Sequence, residues 1–151
     1  MQAHEVMINQ VHKVKETDTV RSVIEKFINY RISGLPVVND RNEIVGFVSD
    51  GDILRFIGKN EDRVVDSFYF AFVIKGDDEE FEDREKRLLD LNVLEIAKKK
   101  VYKVSWDEEM ENIAAILGKK QIKKVPVERN GVLVGIISRG DVIRNSFKEI
   151  L

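Results

Sequence analysis

Two serine–aspartate pairs are the residues of this chain best placed to do chemistry. Ser49 and Asp52 lie in the run Gly46-Phe47-Val48-Ser49-Asp50-Gly51-Asp52-Ile53-Leu54-Arg55. Ser138 and Asp141 lie in Gly135-Ile136-Ile137-Ser138-Arg139-Gly140-Asp141-Val142-Ile143-Arg144. Both runs read G-x-x-S-x-G-D-x-x-R, at a constant offset of 89 from Gly46 to Gly135. Each marks a strand-to-helix junction, where the serine hydroxyl and a carboxylate three residues on project on one side of the helix entrance. A carboxylate there can accept a bidentate hydrogen bond from two vicinal hydroxyls, as on a ribose, and the serine can add a third contact. Charge-assisted bonds of this kind contribute about 1.5–3 kcal/mol each. The helix N-terminus also offers free amides to an anion. Serine and aspartate at a helix start also serve as plain N-cap residues. Finding both in both copies, after the same kind of strand, favours the ligand reading over the capping one.

The elements that must position these pairs are duplicated too. The two prolines of the chain, Pro36 and Pro126, stand in Ser33-Gly34-Leu35-Pro36-Val37-Val38 and Lys123-Lys124-Val125-Pro126-Val127. Each proline belongs at a strand start or on an edge, because it donates nothing to a ladder. Val11-His12-Lys13-Val14 and Val101-Tyr102-Lys103-Val104 alternate with the period of a half-buried strand. Thr17-Asp18-Thr19 then caps a helix with Val20, Val23, Ile24, Phe27 and Ile28 on one face, ending near Tyr30. In the second copy Asp107 is the cap, Met110, Ile113, Ala114, Ile116 and Leu117 form the face, and the helix ends between Gly118 and Lys120. Asn39 to Glu43 turns the first pair of strands, and the shorter Arg129-Asn130-Gly131 turns the second with a hairpin signal. Helices Asp50 to Ile57 and Arg139 to Phe147 follow the serines. Each copy therefore reads strand, helix, strand, strand, helix. One copy alone is too small to bury much core, so the two are expected to pack together. A short helix from Ala3 to Gln10, with Val6 and Met7 inward, precedes the first copy.

Residues 59–92 have no counterpart. Phe68 to Ile74 is aromatic-rich and suits either helix or strand, and a helix is expected from Glu79 to Lys99 with a break near Asn92. The segment is either a helical linker over an exposed edge or an arm for a partner or for oligomerisation. His4 and His12 are isolated and read as solvent-facing polar residues. Across 151 residues, 43% are hydrophobic and 34% charged, ordinary values for a globular chain. The net charge of −2 argues against a nucleic-acid surface. There is no cysteine, hence no disulfide or zinc-thiolate site, which fits a reducing compartment. No secretory signal is expected, no apolar run spans a bilayer, and the expected location is cytoplasmic.

The duplicated strands and G-x-x-S-x-G-D runs resemble the cystathionine-β-synthase (CBS) domain family, in its tandem or Bateman arrangement. The resemblance implies an α/β (α+β) fold of two β-α-β-β-α repeats, residues 1–58 and 93–151, related by a pseudo-twofold axis, with a helical insert over 59–92. It also implies a sensing module and not an enzyme. Such modules bind AMP, ADP, ATP, S-adenosylmethionine or sometimes cyclic dinucleotides as regulatory ligands, with no required cofactor and no metal. By the family pattern one cleft takes Ser49, Asp52 and Phe47 with Ile122, Lys123 and Lys124. The other takes Ser138, Asp141 and Ile136 with Ile32, Ser33 and Gly34. Lys123, Lys124 and Arg139 are the expected phosphate-binding cations, and Asp50 opposes them in the first cleft. The implied partners are an adenosine-containing small molecule, a second copy in a homodimer joined through the helices after Asp52 and Asp141, and a regulated protein. The competing reading is a protein-interaction or oligomerisation module of the same fold without nucleotide binding. An enzyme is disfavoured, since no cysteine or histidine dyad is available and Asp52 and Asp141 serve separate clefts.

Overall fold

The computed structural model describes residues 1–58, 63–66, 71–74, 79–120 and 122–151. The first copy contains β1 (Val14–Lys15), α2 (Val20–Tyr30), β2 (Gly34–Val38), β3 (Ile44–Ser49) and α3 (Asp50–Ile57), preceded by α1 (Ala3–Val6). The second contains β6 (Val104–Ser105), α5 (Met110–Lys119), β7 (Lys124–Arg129), β8 (Val132–Ser138) and α6 (Arg139–Phe147). Each copy forms a three-stranded sheet, ordered β1-β2-β3 and β6-β7-β8, with the first pairing parallel and the second antiparallel. Both antiparallel ladders slip at the same place, between Val37 and Val38 and between Val127 and Glu128. The expected strand, helix, strand, strand, helix order is therefore present twice. The residue missing from the second copy lies in the turn, where Asn130 and Gly131 both take positive φ (52° and 81°), as a tight two-residue hairpin requires.

The prolines sit on central strands, not at a strand start or on an edge. Pro36 lies opposite Phe47, and Pro126 opposite Ile136. The amide and carbonyl of Phe47 both bond Lys98, on the far side from Pro36 (2.9 Å each), and those of Ile136 bond Ile8 in the same way. Each proline thus occupies a non-hydrogen-bonded pair. The parallel pairing on its other flank begins only at Val37 and Val127, so the missing N–H leaves no gap in either ladder.

Those bonds from Phe47 and Ile136 show that the copies exchange their leading segments. Ala3 and Val6 are buried with Val104, Ile113, Leu117, Val125, Val127, Ile137 and Val142 of the second copy. Val93, in a single 3-10 turn (Val93–Glu95), is buried with Val14, Val20, Val23, Leu35, Val37, Val48 and Ile53 of the first. Matching backbone bonds fasten both clasps: Ala3 N to Glu108 O (2.8 Å) and Met110 N to Met1 O (2.9 Å), against Val93 N to Asp18 O and Val20 N to Leu91 O (2.9 Å each). Burying a valine side chain contributes roughly 1.5–3 kcal/mol, so Val6 and Val93 anchor each copy to the other's core. Val38, Ile44 and Leu133, backed by Val11 and Val101, form a smaller cluster where the sheets meet. Asn42, at φ 59°, takes the Leu133 amide on its carbonyl there and donates its side-chain amide to the Leu133 carbonyl.

Several local expectations change. The α2 and α5 N-caps are Thr19 and Glu109, neither with a side-chain cap bond. Asp18 instead accepts from the Lys15 amide, and Asp107 from the Ser105 hydroxyl, so both carboxylates tie the turn before the helix. The insert is not helical throughout: β4 (Arg63–Asp66) and β5 (Ala71–Ile74) pair antiparallel, in keeping with the β-branched and aromatic residues there. Phe68 to Phe70 fall outside the described residues. The later helix is α4 (Phe81–Leu89), with the break expected near Asn92: Asn92 caps a separate 3-10 turn by accepting from the Leu94 amide, and the helix does not resume toward Lys99. Leu88 of α4 enters the first core, and the buried Arg84 guanidinium donates to the carbonyls of Ile57 and Glu79. His4 is half-buried beside the Trp106 ring (4.8 Å between centroids), and the exposed His12 stacks on Tyr30 (3.9 Å), so both pack on aromatics.

Candidate functional site

A cavity of about 200 Å³ opens between the copies. The first copy supplies Ser33, Gly34, Phe47, Ser49 and Asp50; the second supplies Ile122, Lys123, Lys124 and Pro126. The approach to β6 adds Lys98 and Lys100, not singled out in the sequence, and Val101 and Tyr102, expected there only as strand residues. Their proximity follows from the crossover that bonds Lys98 to Phe47. The offset of 90 between Pro36 and Pro126, which also aligns Ile8 with Lys98, was the signal for it.

Local structure sets each contribution. Gly34 pairs with Ser49 in the β2–β3 ladder. A Cβ on Gly34 would lie 3.0 Å from Cε1 of Phe47, so glycine there lets the ring lie against the strand. Ser49 ends β3 and caps α3, which turns Asp50 toward the opposite wall. The Asp50 carboxylate accepts a 3.2 Å hydrogen bond from Lys123 Nζ across the cleft. Both groups are well exposed, and such a pair stabilises by under about 1 kcal/mol. Lys124 is half-buried, and among the described residues its ammonium has no ion-pair partner within 4.0 Å. Burial holds its pKa below the usual lysine range, with the nearby Asp141 carboxylate pulling the other way. Four lysines and one carboxylate, Asp50, line the cavity, a balance that suits an anion.

Ser33 and Gly34, expected in the cleft with Ser138, line the same cavity as Phe47 and Ser49. Their position follows from the strand pairing within one copy. Asp52 does not line the cavity. Its carboxylate accepts from the Ser49 amide (2.9 Å) and hydroxyl (3.1 Å) and pairs with Arg55, leaving its side chain only 5% exposed. Asp141 repeats this with the Ser138 amide (2.9 Å) and Arg144 (3.0 Å), and its own amide donates to the Ser138 hydroxyl. Both pairs are capping boxes. Capping, set aside in favour of a ligand role on sequence grounds, is what these side chains do here. Arg139 turns into its own copy, donating to the carbonyls of Ile122 (2.8 Å) and Leu117 (3.2 Å) at the end of α5. Ile136 lies on β8 against Pro126, and Ile32 packs on the first core; neither lines the cavity.

The fold and site define a class: a duplicated α/β module with an internal pseudo-twofold and a cation-lined cleft between its halves. Comparison with known proteins agrees. The CBS domain model matches twice, at residues 3–59 and 93–148, and the chain belongs to the CBS domain family as a tandem pair. The uncharacterized protein MJ1426 of Methanocaldococcus jannaschii is 31% identical over 86% of this chain and 82% of its own length. CBSX1, a chloroplastic CBS domain-containing protein of Arabidopsis thaliana, is 32% identical over 89% of this chain, which spans 58% of CBSX1. The crystal structure of CBSX2 in complex with AMP superposes with a TM-score of 0.73 at 23% identity, covering 98% of this chain and 97% of that one. No helix among the described residues is long and apolar enough to cross a membrane.

Proposed function

We propose that this CBS pair is a regulatory module that binds an adenosine-containing nucleotide in the cleft and signals through a dimer mate or a partner protein, without catalysing a reaction or needing a cofactor. The observation that carries this is a single cavity walled by both copies, with Phe47 and Ser49 on one side and Lys123 and Lys124 on the other. A ligand touching both walls favours one relative orientation of the copies, by as much as its affinity differs between orientations. The AMP complex of CBSX2, which shares the fold, supports the ligand class. In this reading the base lies near Phe47 and Ile122 and the ribose meets the Ser49 hydroxyl, which Asp52 orients from behind. Leu54 on α3 and Ile143 on α6, at equivalent positions, are 61% and 58% exposed and offer the apolar surface for a homodimer. The lack of cysteine fits a cytoplasmic setting.

The test is a thermal-shift and calorimetric panel of adenosine, AMP, ADP, ATP and S-adenosylmethionine on nucleotide-free protein. A ligand at 100 times its dissociation constant adds about 2.7 kcal/mol to stability. A shift with adenosine-containing ligands, lost in Phe47→Ala, supports the reading; no shift with any of them refutes it. The competing reading, an interaction module without a ligand, is favoured by one fact. Asp52 and Asp141 are fully used as caps, so their presence needs no ligand to explain it.

A further inference from the structure

The pseudo-twofold is broken in one respect, and the break is electrostatic. At equivalent positions the second copy carries Lys98, Lys99, Lys100, Lys120, Lys123 and Lys124 where the first carries Ile8, Asn9, Gln10, Tyr30, Ser33 and Gly34. The structure confirms the equivalence. Lys98 bonds Phe47 as Ile8 bonds Ile136, and Lys120 covers the Tyr102 ring (5.4 Å) as Tyr30 stacks on His12. Of these residues Lys98, Lys100, Lys123 and Lys124 line the cavity, with Ser33 and Gly34 of the first copy. Inside it, Asp50 already holds Lys123, while among the described residues Lys98, Lys100 and Lys124 have no acidic partner within 4.0 Å.

We infer that the cleft selects adenine nucleotides by phosphate number, taking tri- and diphosphates over the monophosphate. The inference rests on the nucleotide reading above. A first phosphate beside Lys123 must displace the Asp50 carboxylate or lie next to it, so its attraction is partly cancelled. Second and third phosphates extend toward Lys98 and Lys100, which line the cavity and among the described residues have no acidic partner within 4.0 Å. A ligand with a sulfonium cation in place of phosphates meets the same lysines as repulsion. Because these lysines are exposed, each added phosphate is worth a few-fold and the preference is screened by salt.

The experiment is calorimetric titration with AMP, ADP and ATP at low and at raised salt, with inorganic tripolyphosphate as competitor. The expected result is ATP tighter than AMP by about tenfold at low salt. The ratio narrows at raised salt, and AMP is displaced by tripolyphosphate. In Lys98→Gln/Lys100→Gln, on exposed side chains, the ATP-to-AMP ratio falls toward one. In Asp50→Asn it also narrows, because AMP binding improves most. AMP binding as tightly as ATP, or tripolyphosphate failing to compete, overturns the inference and leaves the nucleotide reading standing. Failure of every nucleotide to bind overturns both.

Discussion

The capping boxes make a prediction that separates stability from ligand binding. Asp52→Ala removes a nearly buried carboxylate that accepts from the Ser49 amide and hydroxyl. Loss of an N-terminal cap costs about 1 kcal/mol. Hydrogen bonds to a charged acceptor contribute about 1.5–3 kcal/mol, and the half-buried amide is left poorly satisfied. Arg55 adds little, because its side chain is 64% exposed and the pair is screened. Since the cap and the bonds are the same contacts seen twice, the expected cost is about 2–3 kcal/mol and not their sum. In a chain of this size that lowers Tm by about 4–12 °C. The assay is urea unfolding and scanning calorimetry on nucleotide-free protein, with Asp141→Ala expected to lose a similar amount. If Asp52→Ala keeps the parent's stability and loses AMP binding, the carboxylate serves the ligand and the capping argument fails.

Other perturbations test other parts of the structure. A Cβ at position 135 would collide with Sδ of Met7 and lie 2.7 Å from its Cγ and 2.9 Å from its Cβ. Gly135→Ala should therefore cost about 1–3 kcal/mol in unfolding experiments, part of it recovered by adding Met7→Ala. Arg84→Met leaves the Ile57 and Glu79 carbonyls without their donor and should cost about 1–3 kcal/mol, with faster amide exchange confined to 81–89 if α4 comes loose. Lys124 has its folded-state pKa depressed, chiefly by burial, so the unfolded chain binds the proton more tightly. Stability should therefore rise as pH climbs through the alkaline range toward the ordinary lysine value of about 10.4. Lys124→Met should be more stable than the parent at neutral pH and lose that advantage above this value, as read from urea midpoints.

What could be read directly from the sequence was whatever repeats locally. The β-α-β-β-α order, the Asn130-Gly131 turn and most of the apolar faces of α2 and α5 follow from periodicity and turn chemistry within a few residues, although Ile28 (71% exposed) and Ala114 turn out to face solvent. Pro36 and Pro126 marked their strands correctly but not the strands' central place, because the neighbour that absorbs the missing donor is set by the bonds of Phe47 and Ile136 to the other copy. The place of Lys98, Lys100, Val101 and Tyr102 in the cavity lining was missed for a related reason. Nothing in their own stretch says that it borders Phe47, some fifty residues earlier. Asp52 and Asp141 stand in capping boxes, the other role the sequence offered them, because one spacing serves both a capping box and a ribose contact and only the partners of the carboxylate oxygens tell them apart. Ser49, Phe47, Lys123 and Lys124 did converge on one cavity, since Ser49 and Lys124 stand at strand ends that the repeat fixes and Phe47 and Lys123 lie within two residues of them.

The exchanged leading segments set the smallest unit that can be stable. Without Lys98, β3 would present the Phe47 amide and carbonyl as an open edge, and β8 would do the same at Ile136 without Ile8. A lone half would also lack the residue, Val93 or Ala3, that completes its core. Such a half has an obvious remedy, which is to lend its first segment to another copy and borrow one back. The full chain is in this sense a segment-swapped dimer closed into a single polypeptide. Severing it within the insert should yield fragments that are soluble together and aggregate apart.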